Sequence, residues 1–314
     1  MTGARHSRRP APPFRRAVRL AALGAALALP AAGQVVLEGT ERLADDRPEA
    51  WAMRWTAAAL SPGGFGPAAA DEPGSIALDL EAGWLPSLSE RQRRVGFDGT
   101  KLEDLNRSSW FARPRIRVGL PASLSLEADW LPPVEIDGAT ANLVSLGVAG
   151  PLPGRGAWRA GWRASVQGGT VEGDFTCPAA AAAAGDDPVA NPYGCERASE
   201  DEIELLSVLG EASIAYRPAR FEGLDLSLAA LVRHLDATFR VHADWSGIVD
   251  RSRLEHSGVD WGLRLGAGWT SERRWKLAGE LSWTPLDVAR APDAGDREDD
   301  PLLQLRVVLG RRLR

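Results

Sequence analysis

Apolar and polar residues alternate with a period of two along most of this chain from residue 75 onward, the pattern of strands with one face turned to an apolar medium. From Ser75 to Trp84, Ile76, Leu78, Leu80, Ala82 and Trp84 alternate with Ser75, Ala77, Asp79, Glu81 and Gly83. From Ser123 to Trp130, Leu124, Leu126, Ala128 and Trp130 alternate with Ser123, Ser125, Glu127 and Asp129. Similar runs lie near 113–120, 141–149, 157–173, 204–216, 224–240, 259–270, 275–284 and 302–311. About ten strands result, most near the ~9 to 11 residues that cross a bilayer at a tilt.

The spacing of the runs distinguishes a soluble sandwich from a membrane barrel. Connections run long (85–112), short (Pro121 and Ala122), medium (132–140), short (150–156), very long (174–203), short (217–223), long (241–258), short (271–274) and long (285–301). That alternation, with an even strand number, predicts short turns at the periplasmic end and long loops outside. The expected fold is all-β, a transmembrane antiparallel up-and-down barrel of ten strands, with twelve as the alternative count. Aromatic residues sort by strand direction in the same way: Trp84, Trp130, Trp261 and Trp283 fall at the predicted outer rim, and Trp158, Tyr216, Trp269 and Trp275 at the inner rim. Trp favours the boundary between hydrocarbon and water, and the chain has 12 Trp against 2 Tyr and 7 Phe.

Residues 1–33 read as a secretory signal peptide. Six arginines from Arg5 to Arg19 precede the apolar run Leu20–Leu29, and Ala31 and Gly33 fit the small-residue cleavage rule. That run is about half the ~20 residues of a spanning helix. Residues 34–74 form a separate N-terminal segment. Asp46, Pro48 and Glu49 mark a helix start, and Trp51 and Trp55 stand one turn apart on an Ala-rich stretch to Leu60. Trp51, Met53 and Trp55 also alternate as a strand would, but an eleventh strand would leave the N-terminus outside. A short helix that plugs the lumen or lies at the inner rim is therefore expected. Residues 75–314 form the barrel, with an extracellular insertion at 174–203.

These features resemble the Gram-negative outer-membrane β-barrel superfamily over about residues 75 to 311, in strand alternation, loop asymmetry, aromatic girdles and signal peptide. The resemblance implies an outer-membrane location, with lipid and the outer-membrane assembly machinery as partners. Members commonly end on an aromatic residue; here the chain finishes Arg311, Arg312, Leu313, Arg314.

Charge then narrows the function. A net charge of -5 without a basic stripe excludes nucleic acid as a partner. The polar strand faces carry Asp79, Glu81, Arg113, Arg115, Arg117, Glu127, Asp129, Arg159, Arg163, Glu211, Asp260, Arg264 and Glu280, joined by Asp225, Arg233, Lys276 and Arg306. Centring the hairpin on Pro121 sets Arg117 opposite Ser125, Arg115 opposite Glu127 and Arg113 opposite Asp129; Arg264 falls near Glu280. Lumen ion pairs of both signs fit a narrow barrel, with a constriction for small solutes as the functional reading. Ten strands lie nearer the filled eight-stranded barrel than the open sixteen-stranded one, so a large general porin is excluded.

The two cysteines, Cys177 and Cys195, lie in the insertion; as an exported pair they should bridge, closing a loop of about 19 residues worth roughly 3 kcal/mol. Among the histidines, His234, His242 and His256 are the candidates for a general base, and His242-Ala-Asp244 reverses the Asp-x-His order of omptin-like proteases. Solvated loop histidines account for them. No catalytic residues, metal ligands or cofactor are expected. The reading is a narrow channel or carrier for small solutes; a non-transporting scaffold or adhesion barrel is the alternative, and a barrel hydrolase the second.

Overall fold

The sequence folds its alternating segments into one continuous ladder. The computed structural model describes residues 35–67, 72–105, 108–290 and 297–313; the predicted signal peptide lies outside the described residues. Ten strands form the wall: β1 (Ile76–Trp84), β2 (Trp110–Gly119), β3 (Ser125–Leu131), β4 (Ala139–Leu152), β5 (Trp158–Gly173), β6 (Asp201–Tyr216), β7 (Leu224–Arg240), β8 (Ile248–Thr270), β9 (Trp275–Thr284) and β10 (Leu302–Arg312). Each pairs antiparallel with its sequence neighbour, and β10 closes on β1 from Arg306↔Gly83 to Arg312↔Ala77. The result is a closed up-and-down barrel of ten strands.

Alternation decides which side of the wall each residue meets. Along β6 every second residue from Asp201 to Ala215 is buried, while Leu206, Val208 and Ile214 are exposed. Leu80, Leu146, Val232, Leu265, Leu305 and Val307 are likewise 46–61% exposed, a belt of large apolar side chains of the kind found on the outer face of transmembrane barrels. Among the described residues no helix is long and apolar enough to cross a membrane. The strands are the crossing elements.

Two differences from expectation have local causes. Residues 241–258 form no long loop: β8 starts at Ile248 and pairs with Ala243–Trp245 and with the top of β7. Because β9 pairs with β8 only from Leu263 to Thr270, the outer part of β8 is left with a free edge. An unpaired edge is a ready template, and the N-terminal strand Val35–Arg42 takes it, running parallel from Val35↔Ile248 to Arg42↔Glu255. The parity argument against an additional strand is thereby corrected. The chain begins its described course at the outer end, and the extra strand sits on the barrel's rim outside the ten-strand ladder.

From there the chain descends through the lumen. Helix α1 (Pro48–Ala59) starts with proline at its first turn, and eleven of its residues are buried. A helix apolar around most of its circumference requires burial on all sides. Trp51, Met53 and Trp55 pack against inward-facing Phe111, Leu131, Leu143, Ile203 and Leu235 of the wall. After α1, residues 60–67 continue downward to β1.

Candidate functional site: the plugged lumen

The C-terminal end of α1 leaves backbone carbonyls without helical partners, and a helix C-terminus also carries partial negative charge. The wall meets them with a ring of buried cations. Arg306 donates to the carbonyls of Ala58 (3.1 Å) and Ala59 (3.3 Å) and to that of Ser61. Arg113 and Gln167 donate to Leu60, Gln304 to Ala59, Arg264 to Pro62 (2.8 Å) and Arg115 to Gly63 (2.8 Å). Higher up, Arg233 donates to the carbonyl of Arg54; lower down, Lys276 donates to that of Phe65. Two carboxylates take the segment's amides: Glu280 accepts from Gly64 and Phe65, and Glu81 from Gly63.

Two glycines let this stretch lie close against its neighbours. A Cβ on Gly64 would stand 2.7 Å from the Glu211 carboxylate, and one on Gly63 would strike the Phe65 ring at 2.4 Å.

The remaining charge pairs neutralise the ring around the wall. Arg113 meets Asp129 at 3.0 Å, Arg115 meets Glu81 at 3.1 Å, and Arg163 bridges Glu127 at 2.8 Å and Glu211. Arg264 meets Glu211 at 2.6 Å and lies 3.6 Å from Glu280. Asp260 binds Arg54 of the helix at 2.8 Å and Arg233 at 2.6 Å. Asp79, Glu81, Arg113, Arg115, Glu127, Asp129, Arg163, Glu211, Asp260, Arg264 and Glu280 are all buried inside the barrel. Arg117 is half-buried and Arg159 more open, paired with Asp225 at 3.0 Å; both face the lower end of the lumen.

The hairpin register is corrected by two residues: Arg115 pairs with Asp129 and Arg117 with Glu127. The turn is longer than a Pro121-centred one. Leu120 N–H bonds to Leu124 O, with Ala122 and Ser123 at positive φ between them, so the symmetry point moves to Ala122. Arg115 therefore reaches Glu81 of β1, and Glu127 turns to Arg163.

Pattern alone missed Arg54, Gln167, Gln304 and the carbonyls of residues 58–65. The available signal was the run Ser61-Pro62-Gly63-Gly64-Phe65-Gly66 after an apolar helix, where glycines permit close backbone approach.

Both water boundaries carry aromatics. Trp84, Trp130 and Trp261 are exposed at the end with long connections, and Trp283 is half-buried against Trp261, with ring centroids 5.3 Å apart. Trp158, Tyr216, Trp269 and Trp275 are exposed at the opposite end, where Trp158 and Tyr216 pair across β5 and β6. Trp110, beside Trp84, joins the outer set. At the lower end Arg311 stacks over Trp275 at 5.2 Å, and Leu313 N–H bonds to Ile76 O.

Above the barrel, Cys177 and Cys195 form a disulfide within the insertion. That insertion is tied to the β1–β2 connection by Lys101, whose ammonium binds Glu103 at 3.0 Å and lies 5.8 Å from the Phe97 ring and 5.4 Å from that of Tyr193. Burial pushes the Glu103 carboxyl up to about 8 against the pull of Lys101, with Asp201 and Glu49 adding to the rise. His234 and His242 are exposed, and His256 is buried 3.9 Å from Asp45. No group of three metal-ligating side chains occurs among the described residues.

Cavities remain above and below the seal. Two outer ones, of about 440 and 210 Å³, abut α1; one of about 630 Å³, lined by Arg117, Arg159, Asp225 and Lys276, opens below Phe65.

A closed antiparallel wall with an apolar exterior, aromatic girdles and a polar interior defines a bacterial outer-membrane β-barrel, and such a wall places the protein in the outer membrane. No protein-family model matches the chain, and no curated protein matches it in sequence. Solved structures with a similar wall include the outer-membrane protease OmpT of Escherichia coli, 12% identical over 76% of this chain and 92% of that one, with a TM-score of 0.40. An outer-membrane channel of Pseudomonas putida F1 is 10% identical over 81% and 100%, TM-score 0.38. Ail, the attachment invasion locus protein of Yersinia pestis, is 11% identical over 77% and 100%, TM-score 0.31. A wall of this kind by itself assigns no activity.

Proposed function

We propose that this barrel is a carrier for small solutes whose pathway is closed at rest by its own N-terminal segment. The observation that carries the reading is the placement of cavities on both sides of a single seal, with outer cavities resting on α1 and a lower vestibule under Phe65. A scaffold needs only a wall, and its lumen could be packed throughout. The seal is also built from reversible contacts: carbonyls held by arginine side chains can be released without unpairing any wall strand. Of the charged residues assigned to a constriction, Arg113, Arg115, Arg264, Glu81, Glu280 and Asp260 serve in this reading to hold the plug, and lipid is the partner that the exposed belt requires.

No reaction is assigned to the barrel.

Swelling of protein-loaded vesicles in isosmotic solutions of small uncharged solutes tests the proposal. Swelling faster than that of empty vesicles is expected for the smallest solutes. Rates equal to those of empty vesicles across the whole size series would leave the scaffold reading in its place.

A further inference from the structure

The wall is not hydrogen-bonded to its full height at every seam. Strands β2 and β3 pair from Gly119↔Ser125 to Arg115↔Asp129 and stop there. β2 nevertheless continues upward to Trp110, paired on its other side with Trp84 of β1. The sequence explains the gap. Pro114, the next residue of β2, has no N–H to give to a ladder, and the facing chain runs into Pro132 and Pro133 just after β3 ends at Leu131. β4 does not begin until Ala139. The upper half of β2, Trp110 to Pro114, therefore borders a notch in the wall.

The notch leads somewhere. The 210 Å³ outer cavity passes through it, with Trp110, Ala112 and Val134 at the mouth, Phe111 along the side, and Trp55 and Thr56 of the plug helix at the inner end. Trp110 and Val134 are 53% and 59% exposed, so the mouth is open on the outer surface of the wall.

Height and chemistry together select the ligand. Trp84, Trp110 and Trp130 mark the outer interface, and Ala112, the lowest residue of the mouth on β2, lies two residues below Trp110. At ~3.3 Å per residue that is about 7 Å along the strand, just inside the outer edge of a ~30 Å hydrocarbon core. The lower lip of the mouth thus meets acyl chains. Among the described residues no charged side chain lines the cavity, and the few polar groups are hydroxyls such as that of Thr56. An ion would lose its hydration without compensation there, whereas an apolar molecule already dissolved in the leaflet loses nothing on entering.

We propose that the notch between β2 and β3 is a lateral entrance by which a small uncharged apolar molecule passes from the outer leaflet to a binding site against Trp55 and Thr56. This deepens the carrier reading and rests on it for onward transfer, while binding at the notch is measurable by itself.

The experiment is photolabelling of the full protein in phosphatidylcholine vesicles with 3-trifluoromethyl-3-phenyldiazirine, a small uncharged carbene precursor, followed by mapping of the adducts by mass spectrometry. Adducts are expected on the helix peptide containing Trp55 and Thr56, which presents no residue to the lipid-facing surface, as well as on the girdle. Thr56→Phe fills the inner end and Ala112→Phe narrows the mouth. Each should cut helix labelling about tenfold, equivalent to about 1.4 kcal/mol, without changing girdle labelling or heat-modifiable gel migration. An unlabelled helix, or helix labelling unchanged in both variants, would overturn the proposal. In a parallel arm the diazirine is carried at the end of a phospholipid acyl chain; equal helix labelling from that source would make the occupant a lipid chain and overturn the free-solute assignment. Helix labelling without any vesicle swelling would remove the carrier reading and leave the site standing.

Discussion

Glu127 and Arg115 both face the lumen one strand apart, yet their side chains make different partnerships: Glu127 binds Arg163 at 2.8 Å and Arg115 binds Glu81 at 3.1 Å. Removing one member of a buried pair strands the other charge and costs about 3 to 5 kcal/mol, whereas removing both spares that penalty. In a double-mutant cycle, Glu127→Ala with Arg163→Ala should therefore show a coupling of about 1 to 3 kcal/mol, and Glu127→Ala with Arg115→Ala a smaller one. Urea unfolding midpoints in detergent micelles measure both; equal couplings would contradict the pairing described. Glu103 supplies a pH dependence outside the membrane. Its folded value of about 8 stands above the ordinary 4.5, so the folded state holds this proton more tightly than the unfolded one. The contribution is complete at low pH and is lost as pH rises through about 8. Amide protection factors around Phe97–Glu103 should fall between pH 5 and pH 9, and Glu103→Gln should flatten that fall; an unchanged slope in the variant would assign the effect to another group.

At the scale of elements, the segment from Pro48 to Phe65 behaves as a ligand that the barrel carries on its own chain. Its helix contributes apolar bulk, and the stretch after it contributes carbonyls and amides that the wall's arginines and carboxylates recognise. At Gly64 the plug leaves little room for a side chain, since a Cβ there would stand 2.7 Å from the Glu211 carboxylate. Gly64→Val should push residues 62–65 off Glu280 and Arg264 while leaving the strand ladder intact. In planar bilayers the wild type is expected to carry no steady ion current and the variant to carry one. A silent variant that remains heat-modifiable would show that the seal lies elsewhere along the segment.

The whole molecule resolves three demands at once: an exterior that needs lipid, strand edges that need partners, and an interior that must neutralise many charges. Closure between β1 and β10 removes the sheet's edges, the N-terminal strand covers the projecting part of β8, and the notch above Pro114 is the seam where proline interrupts the ladder. Because nearly every large outward-facing residue between the girdles is apolar, extraction should require detergent, and the folded protein should migrate differently on gels before and after boiling. Recovery as a detergent-free monomer in the periplasmic fraction would contradict the barrel assignment.

The strands, their inward and outward faces, the ten-strand count and the two girdles were legible in the chain because period-two alternation and loop length are local properties. The helix at Pro48 was legible for the same reason. What only the tertiary structure decided was every relation that depends on strand stagger: which arginine meets which carboxylate, and how far one strand outreaches its neighbour. A turn longer by two positions moved Arg115 from Glu127 to Asp129 in register, and the long outer arm of β8 gave Val35–Arg42 an edge to pair with. Alternation fixes the parity of a residue but leaves its height along the barrel axis free; height is set by hydrogen bonding across the closed ladder, and it places the plug in the ring of arginines that holds it.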